Sequence, residues 1–376
     1  MKTRKKLLFT LFIVLLALAG CEFGDTDMDP DHRLSGEAIS SDDPSDPEGT
    51  SPIINDPLLP PRDGMVRSIL TNEWIDEEIA EARPIAVIIP NESRAQPHYN
   101  LSKASIVYEA KVEGSMTRLM AIYENWQHLE KIGNVRSIRR YFAYWAFEWD
   151  PIIVHYGGPY FAYEVLDTDT TENVDGTQDT SAFFRTTDRE APHNAYTSGP
   201  GIISSIKQHG YSMNYRGLTM DHHFTFASGQ PNDLSQYGES AETATYVDMT
   251  GAYPLTRCYF NYDPESELYY RFQYLSGSND GPHVDGATGE QLSFSNLIVQ
   301  RVKQETMENG YLVMQCHDTT KDGWFFTKGK GIHVTWQKTG DYEPTQYFDD
   351  DGNEIQLNTG KTMILIIKDT DQFTFR

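Results

Sequence analysis

Positively charged side chains are concentrated in the segment 133–158, which reads GNVRSIRRYFAYWAFEWDPIIVHYGG. Its pattern predicts a loop, a helix of about three turns and a buried strand that ends in a glycine pair. Arg136, Arg139 and Arg140 are spaced i, i+3 and i+4, so we expect them to share one face at the start of that helix. Because the helix dipole is already positive there, the arrangement predicts a bound anion such as phosphate or carboxylate.

The protein's own carboxylates could instead neutralise these arginines, since structural ion-pair networks have the same sequence signature. Glu109 and Glu113 are four apart in or near a predicted strand and therefore face the same side. We favour pairing of both carboxylates with the arginines over a role as general base or metal ligand.

Other polar residues could join the site. His155 ends the predicted strand beside two glycines, where loops often build sites, although a lone histidine there is more often a hydrogen-bonded structural residue. The candidate anion-binding residues are Arg118, Arg136, Arg139, Arg140 and His155, and the supporting candidates are Glu109, Glu113, His193, Asn194 and Tyr196.

Metal-binding motifs in the sequence are weak. Asp221, His222 and His223 are adjacent, but neighbours in a strand point to opposite faces and do not easily bind one ion. The acidic turns 280–286 and 349–354 lack the full twelve-residue spacing of a calcium loop. The sequence also lacks HExxH, a CxxC pair and GxSxG. We therefore expect no metal site and no cofactor.

The first twenty residues have a charged head and an apolar run, as in a signal peptide. The residues LAGC at positions 18–21 match a lipobox and predict cleavage before Cys21 with lipid attachment to it. A plain transmembrane anchor is the alternative, but it needs about twenty apolar residues and this run is too short. The sequence thus predicts a protein on the outer face of the cytoplasmic membrane, with the membrane as a partner through lipidated Cys21.

The formal net charge is -24, and it becomes more negative when the basic signal peptide is removed. Nucleic acid is therefore excluded as an expected partner. An anionic envelope ligand would have to meet a local cationic pocket. Cys258 and Cys316 could form one bridge or remain as two buried thiols.

Composition and periodicity divide the chain. After the signal peptide 1–20, residues 21–64 are rich in Asp, Pro, Ser and Gly and predict a disordered acidic tether. Residues 65–235 alternate strand and helix patterns, which predicts an α/β domain. Residues 236–376 contain short aromatic and β-branched runs between turn signals, which predicts a β-rich domain built as an all-β sandwich or barrel.

Several blocks of sequence resemble the YerB-like lipoproteins, Gram-positive envelope proteins with two domains of unknown function. The blocks span about residues 83–372 in the family's order and include EAKVEGSMTR, IGNVRSIRRYF, HYGG, APHNAYTS, HVDGATGEQLSFSNLIVQ, GIHVTWQK and DGNEIQLNTGKTMI. The resemblance implies a lipid-anchored protein with an α/β half and a β half, and it supplies no catalytic residue. Asn134 and Pro159 depart from the proline and serine more usual in the family. A ligand contact from that serine would be lost here.

A vaguer likeness is to the LytR-CpsA-Psr phosphotransferases, which share the order of a strand, an arginine cluster and Gly-Gly. It would give the arginines the role of neutralising a pyrophosphate. Our leading hypothesis is an envelope lipoprotein that binds an anionic, phosphate-bearing ligand between the arginines and His155. The alternatives are a phosphotransferase or hydrolase acting on envelope polymers, and a protein-protein scaffold.

Overall fold

The computed structural model describes residues 60–218, 223–276 and 279–376. The predicted signal peptide, the lipidation of Cys21 and most of the predicted tether lie outside these residues, as do Asp221 and His222. Strands account for 38% and helices for 16% of the structure. Within the described ranges, no helix has the length and apolar character needed to cross a membrane.

The helices are short and the strands are numerous. The helices are α1 (Glu77–Glu81), α2 (Arg140–Phe147), α3 (Tyr160–Leu166) and α4 (Gly199–His209). The strands before residue 236 are β1 (Met65–Arg67), β2 (Trp74–Asp76), β3 (Ile85–Pro90), β4 (Ile106–Lys111), β5 (Thr117–Tyr123), β6 (Ile132–Gly133), β7 (Ile152–His155), β8 (Asn173–Asp175), β9 (Phe183–Arg185), β10 (Ala195–Thr197) and β11 (Thr225–Phe226). The later strands are β12 (Glu242–Thr243), β13 (Tyr246–Asp248), β14 (Tyr259–Asp263), β15 (Leu268–Ser276), β16 (Asn279–Pro282), β17 (Ser293–Phe294), β18 (Asn296–Val302), β19 (Gln304–Thr306), β20 (Leu312–Met314), β21 (Asp318–Thr327), β22 (Lys330–Lys338), β23 (Gln346–Phe348), β24 (Gln356–Leu357), β25 (Thr362–Lys368) and β26 (Thr374–Phe375).

Local sequence explains where the best-defined elements begin and end. The run IAVIIP forms β3, which is buried along its whole length, as expected for a continuous apolar run. Helix α4 begins after Ser198, whose hydroxyl accepts a hydrogen bond from the backbone N–H of Gly201. It ends at Gly210, which adopts the left-handed conformation with a φ of 73°. Helix α4 thus has a serine cap at its start and a glycine cap at its end, as capping preferences favour.

An 11-stranded sheet forms the centre of the molecule. Its strand order is β12-β22-β21-β18-β25-β4-β5-β3-β7-β8, with β23 beside β22. Strand β25 is parallel to both neighbours, and Thr362 lies between Asn296 of β18 and Ile106 of β4. The sheet thus contains strands from both sides of the predicted domain boundary at residues 235–236. The division into an α/β half and an all-β half stays a prediction, and none of the sheets in the described chain closes into a barrel.

The two faces of the central sheet contribute to separate cores. Helices α2 and α3 cover one face, where Ile138, Phe142, Trp145 and Trp149 are buried. A 6-stranded sheet contributes to the core on the other face; its order is β16-β15-β14-β13-β26, with β17 beside β15. Successive residues of β4 therefore point into different cores.

The two cysteines of the described chain are free and buried. Cys258 belongs to the core on the side of the 6-stranded sheet, and Cys316 belongs to the core on the side of α2 and α3. Of the two alternatives from the sequence, the structure has two separate thiols. Burial raises the pKa of both, which keeps them protonated.

Candidate anion-binding site

The arginine segment is extended before α2 begins. The backbone N–H of Arg136 donates to the carbonyl of Ile88 at 2.8 Å, and the carbonyl of Arg136 accepts from the N–H of Tyr156 at 3.0 Å. These bonds place the segment at the carboxyl ends of β3 and β7. Helix α2 starts only at Arg140, with Arg139 as its N-cap. The prediction that the three arginines share a helix face is therefore wrong, because the backbone groups of Arg136 are already bonded to neighbouring chain segments.

Arg118 reaches this segment from β5. Its side chain is buried, and Nη1 donates to the carbonyl oxygen of Ser137. Among the described residues, no carboxylate lies within 4.0 Å of its guanidinium nitrogens. Burial, followed by repulsion from Arg139 and Arg136, lowers the pKa of Arg118 to about 9. Arg118 is thus a buried cation whose nearest charged neighbours are largely of the same sign.

Arg136 is half-buried and also lacks a close carboxylate in the described chain. Its Nε atom is buried without a hydrogen-bond partner among these residues. Burial lowers the pKa of Arg136, the charge of Glu92 opposes this, and Arg139 and Arg185 lower it further. Arg118 and Arg136, which we call the cationic centre, therefore have donors available for an anion.

Arg139 and Arg140 are neutralised by acids of the protein itself. The Nε of Arg139 lies 2.9 Å from each carboxylate oxygen of Glu113, and its Nη2 also donates to this group. Burial raises the pKa of Glu113, but the hydrogen bonds and charge of Arg139 outweigh this and lower it overall. Arg140 Nη1 lies 3.3 Å from Glu164 Oε2. For these two arginines, the alternative of internal pairing applies.

Glu109 is directed away from the cationic centre. In the pairing of β4 with β5, Arg118 lies opposite Ala110, whereas Glu109 lies opposite Leu119 and faces the other core. Its Oε2 accepts from Arg271 Nη2 at 2.8 Å. The expectation that Glu109 pairs with the arginine cluster is therefore wrong, and the physical reason is the alternation of side chains along a strand.

His155 is buried at the end of β7, with both ring nitrogens bonded inside the protein. Nδ1 lies 2.9 Å from the carbonyl oxygen of Gly157, and Nε2 lies 3.2 Å from Asn173 Oδ1. The Asp175 carboxylate is 4.0 Å from Nδ1. These contacts fit the structural alternative for His155, since neither nitrogen is left for a ligand.

The supporting candidates of the later loop divide into two groups. His193 Nδ1 lies 3.3 Å from Glu92 Oε1, and Glu92 is also the acid that acts on Arg136. Burial lowers the pKa of His193, Glu92 opposes the shift, and the charge of Arg136 reinforces it. The structure thus places His193 beside the cationic centre.

Asn194 and Tyr196 are engaged in the β9–β10 hairpin and its surroundings. Asn194 Oδ1 accepts from Arg185 Nη1 at 2.7 Å. The ring of Tyr196 is 5.5 Å from that of Tyr99, and the ammonium of Lys131 lies 4.2 Å from the Tyr196 ring centre. These contacts give both candidates a role in packing the hairpin.

Sequence reasoning missed Glu92 and Arg185, which both act electrostatically on Arg136. Glu92 lies two residues after the end of β3, and Arg185 is the last residue of β9. Neither lies in a motif, and only the folded sheet brings them to the arginine segment.

The described residues contain no group of three or more His, Cys, Asp or Glu side chains that could hold a metal ion. The arrangement is suited to holding an anion by charge and hydrogen bonding.

Comparison with known proteins identifies the relatives of this chain. Residues 70–212 match the "Protein of unknown function (DUF3048) N-terminal domain", and residues 247–364 match the corresponding C-terminal domain. The chain is 30% identical over 310 residues to "Putative lipoprotein YerB" of Bacillus subtilis (strain 168), covering 81% of this chain and 87% of that protein. The crystal structure of YerB from Bacillus subtilis superimposes with a TM-score of 0.68 at 25% identity, over 82% of this chain and 99% of that chain. The resemblance inferred from the sequence blocks is thereby confirmed, and the chain belongs to the YerB family with paired DUF3048 domains.

Proposed function

We propose that this protein is a lipid-anchored, extracytoplasmic protein of the cell envelope that binds a phosphate-bearing ligand at the cationic centre. The name of the Bacillus relative supports a lipid anchor, and so does the LAGC sequence that ends at Cys21 in this chain. Anchoring at the outer face of the cytoplasmic membrane would place the cationic centre near lipid-linked and wall-derived phosphates.

The observation that carries the proposal is the burial of Arg118 without a carboxylate beside it. Removing a guanidinium from water costs free energy, which folded proteins usually offset with a paired acid. Here, Arg136 and Arg139 add repulsion to that cost. A bound phosphate would offset both effects, because its oxygens accept hydrogen bonds from Arg118 and Arg136 and its charge opposes theirs.

The test compares thermal unfolding of the full chain in inorganic phosphate and in chloride at equal ionic strength. We expect phosphate to raise the Tm of the wild-type protein by several degrees, roughly as for a ligand present at many times its Kd. In Arg136→Gln, which removes one half-buried donor, this rise should be lost. Arg140→Gln is the matched control, because Arg140 is paired with exposed Glu164.

An equal phosphate-dependent rise in Arg136→Gln and in the wild-type protein would overturn the proposed site. A rise that is lost equally in Arg140→Gln would point to general charge effects and not to the cationic centre. The enzymatic and scaffold alternatives from the sequence are left as predictions, since no contact in the described chain favours either of them.

A further inference from the structure

A cavity of about 650 Å³ lies apart from the cationic centre and shares no lining residue with it. Its walls come from the β1–β2 hairpin, the segment after β11, the turn before β15, the end of β21 and the residues before β25. Small-molecule sites in proteins occupy roughly 300–1,000 Å³, so the cavity has the size of a ligand site.

The cavity walls are held together by hydrogen bonds. Asn72 Nδ2 donates to Thr359 Oγ1 at 2.8 Å, and the N–H of Gly360 donates to the carbonyl of Thr71 at 2.7 Å. Beneath them, Asn358 is buried and its Nδ2 donates to Thr327 Oγ1 at 2.8 Å. These bonds join the N-terminal hairpin to the central sheet, so the cavity is formed before any ligand arrives.

The lining combines aromatic rings with neutral polar groups. Trp74 and Phe226 are half-buried in the wall, and the guanidinium of Arg67 lies 4.1 Å from the centre of the Trp74 ring. Amide and hydroxyl groups of Asn72, Gln230 and Thr359 line the same space. An aromatic ring packs against the apolar C–H face of a sugar, while amides and hydroxyls exchange hydrogen bonds with its polar edge.

The charged groups of the wall are engaged within it: Arg67 lies over the Trp74 ring and donates to the carbonyl of Asn72 at 2.8 Å. Lys328 lines the cavity, but it forms an ion pair with Glu267, which lines it as well. A polyanion would therefore meet a carboxylate beside the lysine. A purely apolar ligand would displace water from the exposed amide of Gln230 without replacing its hydrogen bonds.

We infer that this cavity binds a neutral oligosaccharide of N-acetylated sugars, stacked against Trp74 and hydrogen-bonded by Asn72 and Gln230. The acetamide group is the reason for this choice, because its N–H and carbonyl match the donor and acceptor atoms of side-chain amides. The protein would then hold a glycan at one surface and an anion at another.

The probe is chitotetraose, titrated by calorimetry into the full chain purified in detergent. We expect saturable binding to the wild-type protein with a Kd below about 1 mM, and binding at least about fivefold weaker in Trp74→Ala. Gln230→Ala removes an exposed amide and should also weaken binding, which keeps the test valid if Trp74→Ala fails to fold. Tyr160→Ala is the control, since Tyr160 is 69% exposed on α3 and does not line the cavity.

Absence of saturable binding to the wild-type protein at about 5 mM chitotetraose would overturn the inference. An unchanged Kd in both Trp74→Ala and Gln230→Ala would do so as well. Cellotetraose tests the acetamide separately, because it has the same linkage without that group. We expect it to bind at least about fivefold more weakly, and equal affinity would overturn the assignment to N-acetylated sugars.

Discussion

Arg118 and Arg139 illustrate how differently two arginines in one cluster can be satisfied. Arg139 has a bidentate partner in Glu113, so its charge is offset inside the protein. Arg118 has a backbone carbonyl as its hydrogen-bond acceptor and cations as neighbours. A residue that costs stability in this way is typical of binding sites, where folded-state stability is given up for ligand affinity.

Replacement of Arg118 by Met tests this cost. The methionine keeps an apolar stem and removes the buried charge. Without phosphate, we therefore expect the free energy of unfolding either to increase or to decrease by at most about 1 kcal/mol. The stabilisation by phosphate should disappear at the same time. Urea unfolding with and without phosphate measures both quantities, and a loss of several kcal/mol in phosphate-free buffer would assign Arg118 a structural role instead.

At the scale of elements, strand alternation decides which charges can meet. Arg118 on β5 faces α2, whereas Glu109 on β4 faces the other core and pairs with Arg271, which is 162 residues away in sequence. Arg271 Nη1 also donates to Nδ1 of His283. The Nε2 atom of His283 in turn lies 2.8 Å from Nδ1 of His98. This buried network joins β4, β15 and the loop after β3. It therefore connects segments on both sides of the predicted domain boundary.

Breaking this network from one side should be costly. In Glu109→Gln the guanidinium of Arg271 would remain buried without its carboxylate, so we expect a loss of about 3–5 kcal/mol in the free energy of unfolding. The double variant Glu109→Gln/Arg271→Met should recover part of that loss, because neither charge is then unpaired. Urea unfolding measures the three proteins, and Glu290→Gln, which alters an exposed ion pair with Lys103, is the control. A loss below about 1 kcal/mol in Glu109→Gln would contradict the role of the pair.

The sequence patterns located elements better than they located partners. The apolar run of β3, the stripe of Phe142 and Trp145, and the cap at Ser198 follow from local periodicity and capping rules. The late start of α2 does not, because the bonds that keep Arg136 extended come from Ile88 and Tyr156 in separate strands. For the same reason, pairing of Arg271 with Glu109 has no signature in either local segment.

At the scale of the whole molecule, a strongly acidic chain presents a small cationic region. The formal net charge is -24, yet Arg118 and Arg136 have no close carboxylate among the described residues. Long-range repulsion should slow the approach of anions, and this effect should weaken as salt rises. The cavity bounded by the β1–β2 hairpin has a different chemistry, with its lysine paired. The cationic centre would thus select its ligand by charge, and the cavity would select its ligand by ring stacking and neutral hydrogen bonds.

The attachment of the N-terminal hairpin to the central sheet should depend on pH. Ser68 in the hairpin donates its hydroxyl hydrogen to the buried carboxylate of Glu124 at the end of β5, with a distance of 2.8 Å to Oε2. Burial raises the pKa of Glu124 to about 7, the bond from Ser68 opposes the shift, and Glu73 adds to it. Since the folded-state pKa exceeds the ordinary value of 4.5, the folded protein retains a proton that the unfolded chain releases. Stability should therefore fall as pH rises from about 4.5 to 7.

Glu124→Gln removes the ionisation and should leave the hydrogen bond from Ser68 possible. We expect it to be more stable than the wild-type protein by up to about 3 kcal/mol at pH 8, with a much smaller difference at pH 5. Urea unfolding at the two pH values measures this. Glu308→Gln removes the same charge from an exposed position, so it corrects for the general repulsion of an acidic chain. If the stabilities of Glu124→Gln and Glu308→Gln change with pH in the same way, the carboxyl of Glu124 does not control the attachment of the hairpin, and the bonds of Asn72 and Gly360 and the buried side chain of Leu70 remain as its contacts with the rest of the protein.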